Sequence, residues 1–161
     1  MNYLIDGFNV GFKDKTIAGW LRKGDTERAI DLILRIVRQN VPKAGRIIVV
    51  FDGRKYVFNK PVGYSGIEII FSEKPQSADD IIRQKLRSLS DITSWMVVSS
   101  DHEIINTAKD LGARFIRSEE FLKSKFNRDS GKTQMTNVEK YNPKDVNIDY
   151  WLEQFKRGDS E

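Results

Sequence analysis

Acidic residues follow four of the predicted strands in this chain of 161 residues, and carboxylates at such positions can bind a metal ion. In chain order these acids are Asp6, Asp52, Asp79, Asp80 and Asp101. Parallel strands end at the same edge of a sheet, so we expect these side chains to converge there together with Asn9. Clustered carboxylates repel one another, and Mg²⁺ or Mn²⁺ relieves the repulsion through the oxygen ligands that these ions prefer. A site of this composition is typical of enzymes that act on phosphate esters.

Each acid, taken alone, also has a structural explanation. Ser77 to Asp80 has the form of a capping box, in which Asp80 only satisfies a backbone N–H at a helix start. Asp101 precedes another predicted helix, where the helix dipole favours a negative charge. Asp52 is followed by Gly53 and could belong to a turn. The metal site is therefore favoured by the joint pattern at several strand ends, and not by any single residue.

Short apolar segments alternate with amphipathic segments of helical periodicity along the chain. The predicted strands cover residues 3–5, 47–51, 67–71, 95–98 and 113–116. This alternation predicts an α/β fold in three layers, with a central, mostly parallel sheet of about five strands covered by helices on both faces. We interpret the segment after Asp6 as a turn, because Gly7 and Asn9 are ordinary turn residues.

The chain divides into three parts by composition. Residues 1–126 carry the alternating pattern and are predicted to form one domain. Residues 127–142 are polar and are interpreted as a loop or linker. Residues 143–157 begin with a proline and predict a C-terminal amphipathic helix docked on the domain.

Composition limits the classes of function. The 27 Lys and Arg against 23 Asp and Glu give a net charge of +4, which permits a polyanionic partner such as RNA. The absence of cysteine excludes disulfides, thiol catalysis and zinc–thiolate sites. No apolar run reaches the ~18 residues of a membrane span, and no signal peptide is recognisable, so we expect a cytoplasmic protein. Glycine patterns that bind nucleotide cofactors are absent.

Four segments in this order resemble the motifs of the NYN domain, a branch of the PIN-like nucleases, and in particular the YacP-type NYN proteins of bacteria. They are residues 4–9, 50–52, 77–80 and 97–101. The resemblance extends from residue 1 to about residue 125. It implies a PIN-like fold and a divalent-metal-dependent endoribonuclease that uses Mg²⁺ or Mn²⁺ and acts on RNA, with the ribosome as one context for its action. A PIN-like module that binds RNA or a ribosome without cleaving it is the alternative.

The resemblance implies roles for individual residues. The catalytic and metal-binding residues would be Asp6, Asp52, Asp80 and Asp101. Asn9 and Asp79 would assist them. Apart from the resemblance, Ser99, Ser100 and Glu103 are further candidates for supporting residues. Two positions depart from the family pattern, because Phe8 stands where a small residue or tyrosine is common, and His102-Glu103 follow Asp101 without a second aspartate. Whether Glu103 is a ligand therefore stays open, and His102 is expected to be a surface residue.

Basic residues near these acids are candidates for contact with nucleic acid. They are Arg54, Lys55, Arg83, Lys123, Lys125 and Arg128. Arg54 and Lys55 directly follow Asp52-Gly53, and Arg83 lies one helical turn beyond Asp80. Ser99 and Ser100 could contact a phosphate, although their positions at a strand end and a helix N-cap favour a structural role.

Overall fold

The structure, a computed structural model, describes residues 1–41, 44–53 and 66–129, with side chains through residue 124. It confirms the predicted α/β fold. The described strands are β1 (Asn2–Asp6), β2 (Ile47–Phe51), β3 (Ile67–Phe71), β4 (Trp95–Val98) and β5 (Arg114–Ile116). They form one parallel sheet in the order β3-β2-β1-β4-β5. The strand that ends at Asp6 therefore lies at the centre of the sheet.

Helices pack on both faces of this sheet. In the described residues they are α1 (Gly7–Phe12), α2 (Lys15–Arg22), α3 (Thr26–Asn40), α4 (Ala78–Ser88), α5 (His102–Leu111) and α6 (Ser118–Asp129). Helices α1, α2, α3 and α6 contribute to one hydrophobic core, and α4 and α5 contribute to the other. On β1, Ile5 packs into the first core and Leu4 into the second, because successive side chains of a strand point to opposite faces.

The two apolar faces explain the composition of the strands. All five residues of β2 and all four of β4 are buried, as is usual for a parallel sheet covered on both sides. Each fully buried Val, Ile or Leu side chain stabilises the fold by roughly 1.5–3 kcal/mol relative to an exposed one. The cores therefore fix the strands, and the strands fix the residues that follow their carboxyl ends.

The segment after Asp6 is a helix and not the predicted turn. Helix α1 begins at Gly7, directly after β1. A Cβ atom on Gly7 would lie 2.3 Å from the ring of Phe51, so the absence of a side chain lets the helix start against the end of β2. A Cβ on Gly11 would likewise lie 2.8 Å from Ile33. The glycines thus allow close packing between α1, the sheet and α3.

Helix α6 continues to Asp129 and so includes three residues of the stretch assigned to the linker. The predicted helix 143–157 and the rest of the linker lie outside the described residues. Among the helices that the structure describes, none is both long and apolar enough to cross a membrane.

Candidate active site

The carboxyl edge of the sheet brings together acids from several elements. Asp6 closes β1, and Asp52 follows the neighbouring strand β2. Asp101 follows β4 on the other side of β1 and immediately precedes α5. Asp79 lies in the first turn of α4, which packs on the same face of the sheet as α5. The predicted convergence at one edge is therefore present for these elements.

Asp6 is the buried member of the group, with 7% of its surface exposed. The Ser99 hydroxyl donates a hydrogen bond to its Oδ2 at 3.3 Å, and the Asn9 backbone N–H also donates to the carboxylate. The pKa of Asp6 is raised to about 7, first by burial and then by the negative charge of Asp79, and the two hydrogen bonds only partly offset these effects. Asp6 therefore needs a nearby positive charge to be fully ionised at neutral pH.

Asp79, Asp101 and Glu103 each contribute one carboxylate oxygen to a group whose atoms all lie within 4.8 Å of one another. Burial and then the charge of Asp101 raise the pKa of Asp79, although Arg83 acts in the opposite direction. Asp101 caps α5, and its Oδ1 accepts the N–H groups of Glu103 at 2.9 Å and of Ile104 at 3.2 Å. The cap fixes the direction of the Asp101 carboxylate, and no described residue donates a hydrogen bond to its Oδ2.

The Asp80 carboxylate accepts hydrogen bonds from residues of its own helix and of the N-cap of that helix. Its Oδ2 accepts the Ser77 N–H at 3.0 Å, and the Ser77 hydroxyl accepts the Asp80 N–H at 3.2 Å. Its Oδ1 accepts a hydrogen bond from Arg83 Nη2 at 3.0 Å. The hydrogen bonds with Ser77 hold the pKa of Asp80 below its usual range. The capping explanation thus describes the geometry of Asp80. Its neighbour Asp79 is the residue of α4 whose charge raises the pKa of Asp6.

Asp52 lies at the outer side of the edge and is exposed. The hydroxyl of the buried Ser72 donates a hydrogen bond to Asp52 Oδ1 at 2.7 Å and accepts the Gly53 N–H at 3.1 Å. Asp52 is not a member of the three-carboxylate group around Asp79. Its position is fixed by β3, since Ser72 directly follows that strand.

Arg83 places a positive charge next to the acids. Its Nη2 contacts Asp80 at 3.0 Å and its Nη1 lies 3.7 Å from Glu103. Of the other predicted nucleic-acid contacts, Lys123 is exposed and lies 3.7 Å from Glu120. Arg54 and Lys55 lie outside the described residues. Lys125 and Arg128 are on α6, and their side chains are outside the described part of the chain.

A family model of the YacP-like NYN domain matches residues 3–157. The chain belongs to the YacP-like NYN domain family. A crystal structure of Rae1 (YacP) from Bacillus subtilis superimposes with a TM-score of 0.66 and 21% identity, covering 99% of this chain and 95% of that chain. A mutant of the same Bacillus subtilis protein gives a TM-score of 0.65 and 22% identity over 81% of this chain and 77% of that chain. At these identities the superpositions show the shared fold alone. A search of curated proteins found no significant match.

NYN domains are nucleases of the PIN-like superfamily, which use divalent metals, and the family implies RNA as the substrate. The side chains at the carboxyl edge of the sheet in this NYN domain are chemically suited to bind such an ion. Asp79, Asp101 and Glu103 offer only oxygen, the donor that Mg²⁺ and Mn²⁺ prefer. The chain has no cysteine, and its one histidine, His102, is exposed. The donor chemistry therefore fits a hard divalent cation.

A polar network supports the loop between β4 and α5 in this NYN domain. Asn9 Oδ1 accepts the Ser100 N–H at 2.9 Å and the Ser118 hydroxyl at 2.7 Å. The Ser100 hydroxyl donates to Glu119 at 2.8 Å and accepts the Ser118 N–H at 3.0 Å. Lys13 Nζ lies 3.2 Å from the same Glu119 carboxylate. Ser100 thus holds together the start of α6 and the start of α1.

Glu119 is the acid of this network that the sequence analysis missed, and Lys13 and Ser118 were missed with it. Burial raises its pKa, but the hydrogen bond from Ser100 and the charge of Lys13 outweigh burial and hold it below the usual range. A signal for it was present in the sequence, since Glu119 stands just after the fifth strand, as the other acids stand after theirs. Extending that rule to β5 would have found it.

Proposed function

We propose that this protein is a divalent-metal-dependent endoribonuclease whose active site is the acidic edge of the sheet. The observation that carries the proposal is the group of three carboxylates within 4.8 Å beside Asp6, whose pKa is raised to about 7. The three acids of this group repel one another, and the charges of Asp79 and Asp101 also act on Asp6. The fold retains these acids at the edge where open α/β sheets bind ligands. Membership of the NYN family supports the same conclusion.

We assign Asp79 and Asp101 as the principal metal-binding residues, with Asp6 and Glu103 completing the acidic set. Asp79 takes the role that the sequence analysis gave to Asp80, because Asp80 is engaged by Ser77 and Arg83. When bound, Mg²⁺ or Mn²⁺ supplies an acidified water and charge stabilisation for hydrolysis of a phosphodiester.

The remaining residues of the chain orient this set. Ser99 connects two acids, because its hydroxyl donates to Asp6 at 3.3 Å and accepts the Asp101 N–H at 3.1 Å. Asn9 holds Ser100 and, through its backbone, Asp6. Fixed ligands reduce the reorganisation needed during reaction, which is how a preorganised site accelerates it. We keep Asp52 as a candidate catalytic residue at the outer end of the same edge.

Incubation of the protein with end-labelled single-stranded and structured RNA, and with ribosome-bound RNA, tests the proposal. We expect internal cleavage with Mg²⁺ or Mn²⁺ and none with EDTA. Asp101→Asn should lower the cleavage rate by at least about 100-fold, since it removes a charged ligand. Asp110→Asn is the matched control, because Asp110 is an exposed acid on the same helix, and it should cleave like wild type.

The alternative function is a PIN-like module that binds RNA without cleaving it. Wild-type protein that binds labelled RNA but leaves it intact with every divalent metal would favour this alternative. Cleavage that is equal for wild type and Asp101→Asn would contradict the assignment of the site.

A further inference from the structure

A shallow polar groove lies directly beside the acidic edge, along the first three turns of α4. Its volume is about 330 Å³. The residues that line it are Pro75, Gln76, Asp80, Arg83, Gln84 and Arg87. This volume is near the lower end of the range for small-molecule sites, about 300–1,000 Å³, and suits one nucleotide better than a larger ligand.

Arg83 connects the groove to the proposed metal site. One nitrogen of its guanidinium contacts Asp80, which lines the groove, at 3.0 Å. Another lies 3.7 Å from Glu103, a member of the three-carboxylate group. The groove and the acidic site are therefore separated by a single side chain, that of Arg83.

Arg87 gives the groove a positive charge that is available to a ligand. It is exposed in the last turn of α4, and it forms no ion pair with another residue that the structure describes. Arg83, in contrast, already contacts two carboxylates. A guanidinium presents several N–H donors in one plane and matches a phosphate well.

Two side-chain amides supply the other polar contacts. Gln76 Nε2 and Gln84 Oε1 are 3.5 Å apart, at the outer limit of a hydrogen bond, and both residues are exposed. Each amide has two N–H donors and one carbonyl acceptor, so it can form hydrogen bonds with the edge of a base or with a ribose hydroxyl. A groove lined by charges and amides is poorly suited to an apolar ligand.

We propose that this groove binds the RNA nucleotide next to the scissile phosphodiester, with Arg87 on its phosphate and the two glutamine amides on its base or ribose. The inference rests on the proposed ribonuclease function and adds a substrate subsite to it. It makes Arg87 and Gln84 determinants of substrate affinity that take no part in the chemical step.

The test compares Arg87→Ala and Gln84→Ala with the control Arg22→Ala. Arg22 is an exposed arginine in the last turn of α2, so its removal changes net charge and helix-end charge as Arg87→Ala does. The probe is a fluorescein-labelled single-stranded RNA of mixed sequence, about 12 nucleotides long, a length within the range bound by single-strand-binding domains. Binding is measured by anisotropy in EDTA at several salt concentrations, and cleavage kinetics are measured with Mn²⁺.

We expect Arg87→Ala to weaken binding about threefold to tenfold and to reduce the slope of log K against log salt by about 0.7, the share of one phosphate contact on a single strand. Gln84→Ala should weaken binding without changing that slope. Both variants should raise KM and leave kcat within about twofold of wild type, as expected for residues that contribute uniform binding. Arg22→Ala should match wild type in every measurement.

Equal effects of Arg87→Ala and Arg22→Ala on binding and slope would overturn the subsite, even if the wild type cleaves RNA. A fall in kcat with unchanged KM would also overturn it, because Arg87 would then act on the reaction itself. Absence of cleavage by wild type, together with a selective loss of binding in Arg87→Ala, would refute the ribonuclease function and leave the groove as an RNA contact.

Discussion

Asp6 is costly to ionise as long as no cation is bound beside it. Its pKa is raised to about 7 in the fold, first by burial and then by Asp79, whereas an aspartate in the unfolded chain has its ordinary pKa of 3.8. Between these two pH values the folded protein binds more protons than the unfolded chain. The stability of the metal-free protein should therefore fall as pH rises from about 4 through 7.

Asp6→Asn removes this cost, because an amide has a similar shape and no charge. In EDTA at pH 8 we expect the variant to be more stable than wild type by about 1–3 kcal/mol, and the difference should vanish near pH 4. Denaturant unfolding monitored by circular dichroism at both pH values measures this difference in the free energy of unfolding. A variant that is less stable than wild type at both pH values would contradict the raised pKa.

Asp79 and Asp80 are neighbours with different predicted roles. We expect Asp79→Asn to weaken Mn²⁺ binding by at least about tenfold, since it removes a ligand from the acidic group. Asp80→Asn should retain Mn²⁺ affinity within about threefold and lower the free energy of unfolding, because it weakens the contacts at the helix cap. Calorimetric titration with Mn²⁺ and denaturant unfolding of both variants distinguish the roles, and the reverse ranking of Mn²⁺ affinities would contradict them.

At the scale of elements, helix packing decides which acid faces the site. Adjacent residues of a helix point about 100° apart, and the sequence alone does not say which of Asp79 and Asp80 faces β1. A local clue existed, because Arg83 lies three residues after Asp80 and so on the same side of α4. That pair, with the capping box at Ser77, already indicated a structural role for the second acid.

Glu119 tests whether α6 positions the loop that carries Asp101. Glu119→Ala removes the acceptor of the Ser100 hydroxyl and the partner of Lys13, so we expect Mn²⁺ affinity to fall about threefold to tenfold. Glu119→Gln keeps an acceptor for Ser100 and should recover most of that affinity. The measurement is the same Mn²⁺ titration, and equal losses in the two variants would indicate that Ser100 is not the route of the effect.

Gly7 tests the close approach of α1 to the sheet. Its replacement by alanine places a Cβ 2.3 Å from the Phe51 ring, and we expect the free energy of unfolding to fall by about 1–3 kcal/mol. Gly19→Ala is the matched control within α2, where no atom lies within 4 Å of the added Cβ. That change should stabilise the protein by about 0.5–1 kcal/mol, because alanine favours helix. Destabilisation of similar size in both variants would contradict the packing argument.

At the scale of the whole molecule, the architecture was predictable from the sequence. Continuous apolar runs such as 47–51 predict strands buried on both faces, and their alternation with amphipathic helices predicts a parallel sheet. Helix α1 was missed because Gly7 and Asn9 are locally typical of a turn, and the close packing of α1 against Phe51 and Ile33 is a long-range feature. Local pattern therefore predicted the layers, whereas long-range packing determined the details of the site.

The molecule combines a net charge of +4 with a concentration of acids at one edge of its sheet. Cations bound at this edge would lower its repulsion of a polyanionic substrate. The net charge of the chain and the geometry of the acidic edge thus both favour the proposed binding of a divalent cation. The family match over residues 3–157 supports the same proposal and does not depend on the geometry.

The cleavage rate of labelled RNA as a function of Mn²⁺ concentration, for wild type and Asp79→Asn, tests the central claim most directly. We predict a saturable dependence for wild type, no cleavage in EDTA, and for Asp79→Asn a half-saturating Mn²⁺ concentration at least about tenfold higher with a lower maximal rate. Cleavage that persists in EDTA, or the same Mn²⁺ dependence in both proteins, would contradict a metal-dependent site built on Asp79.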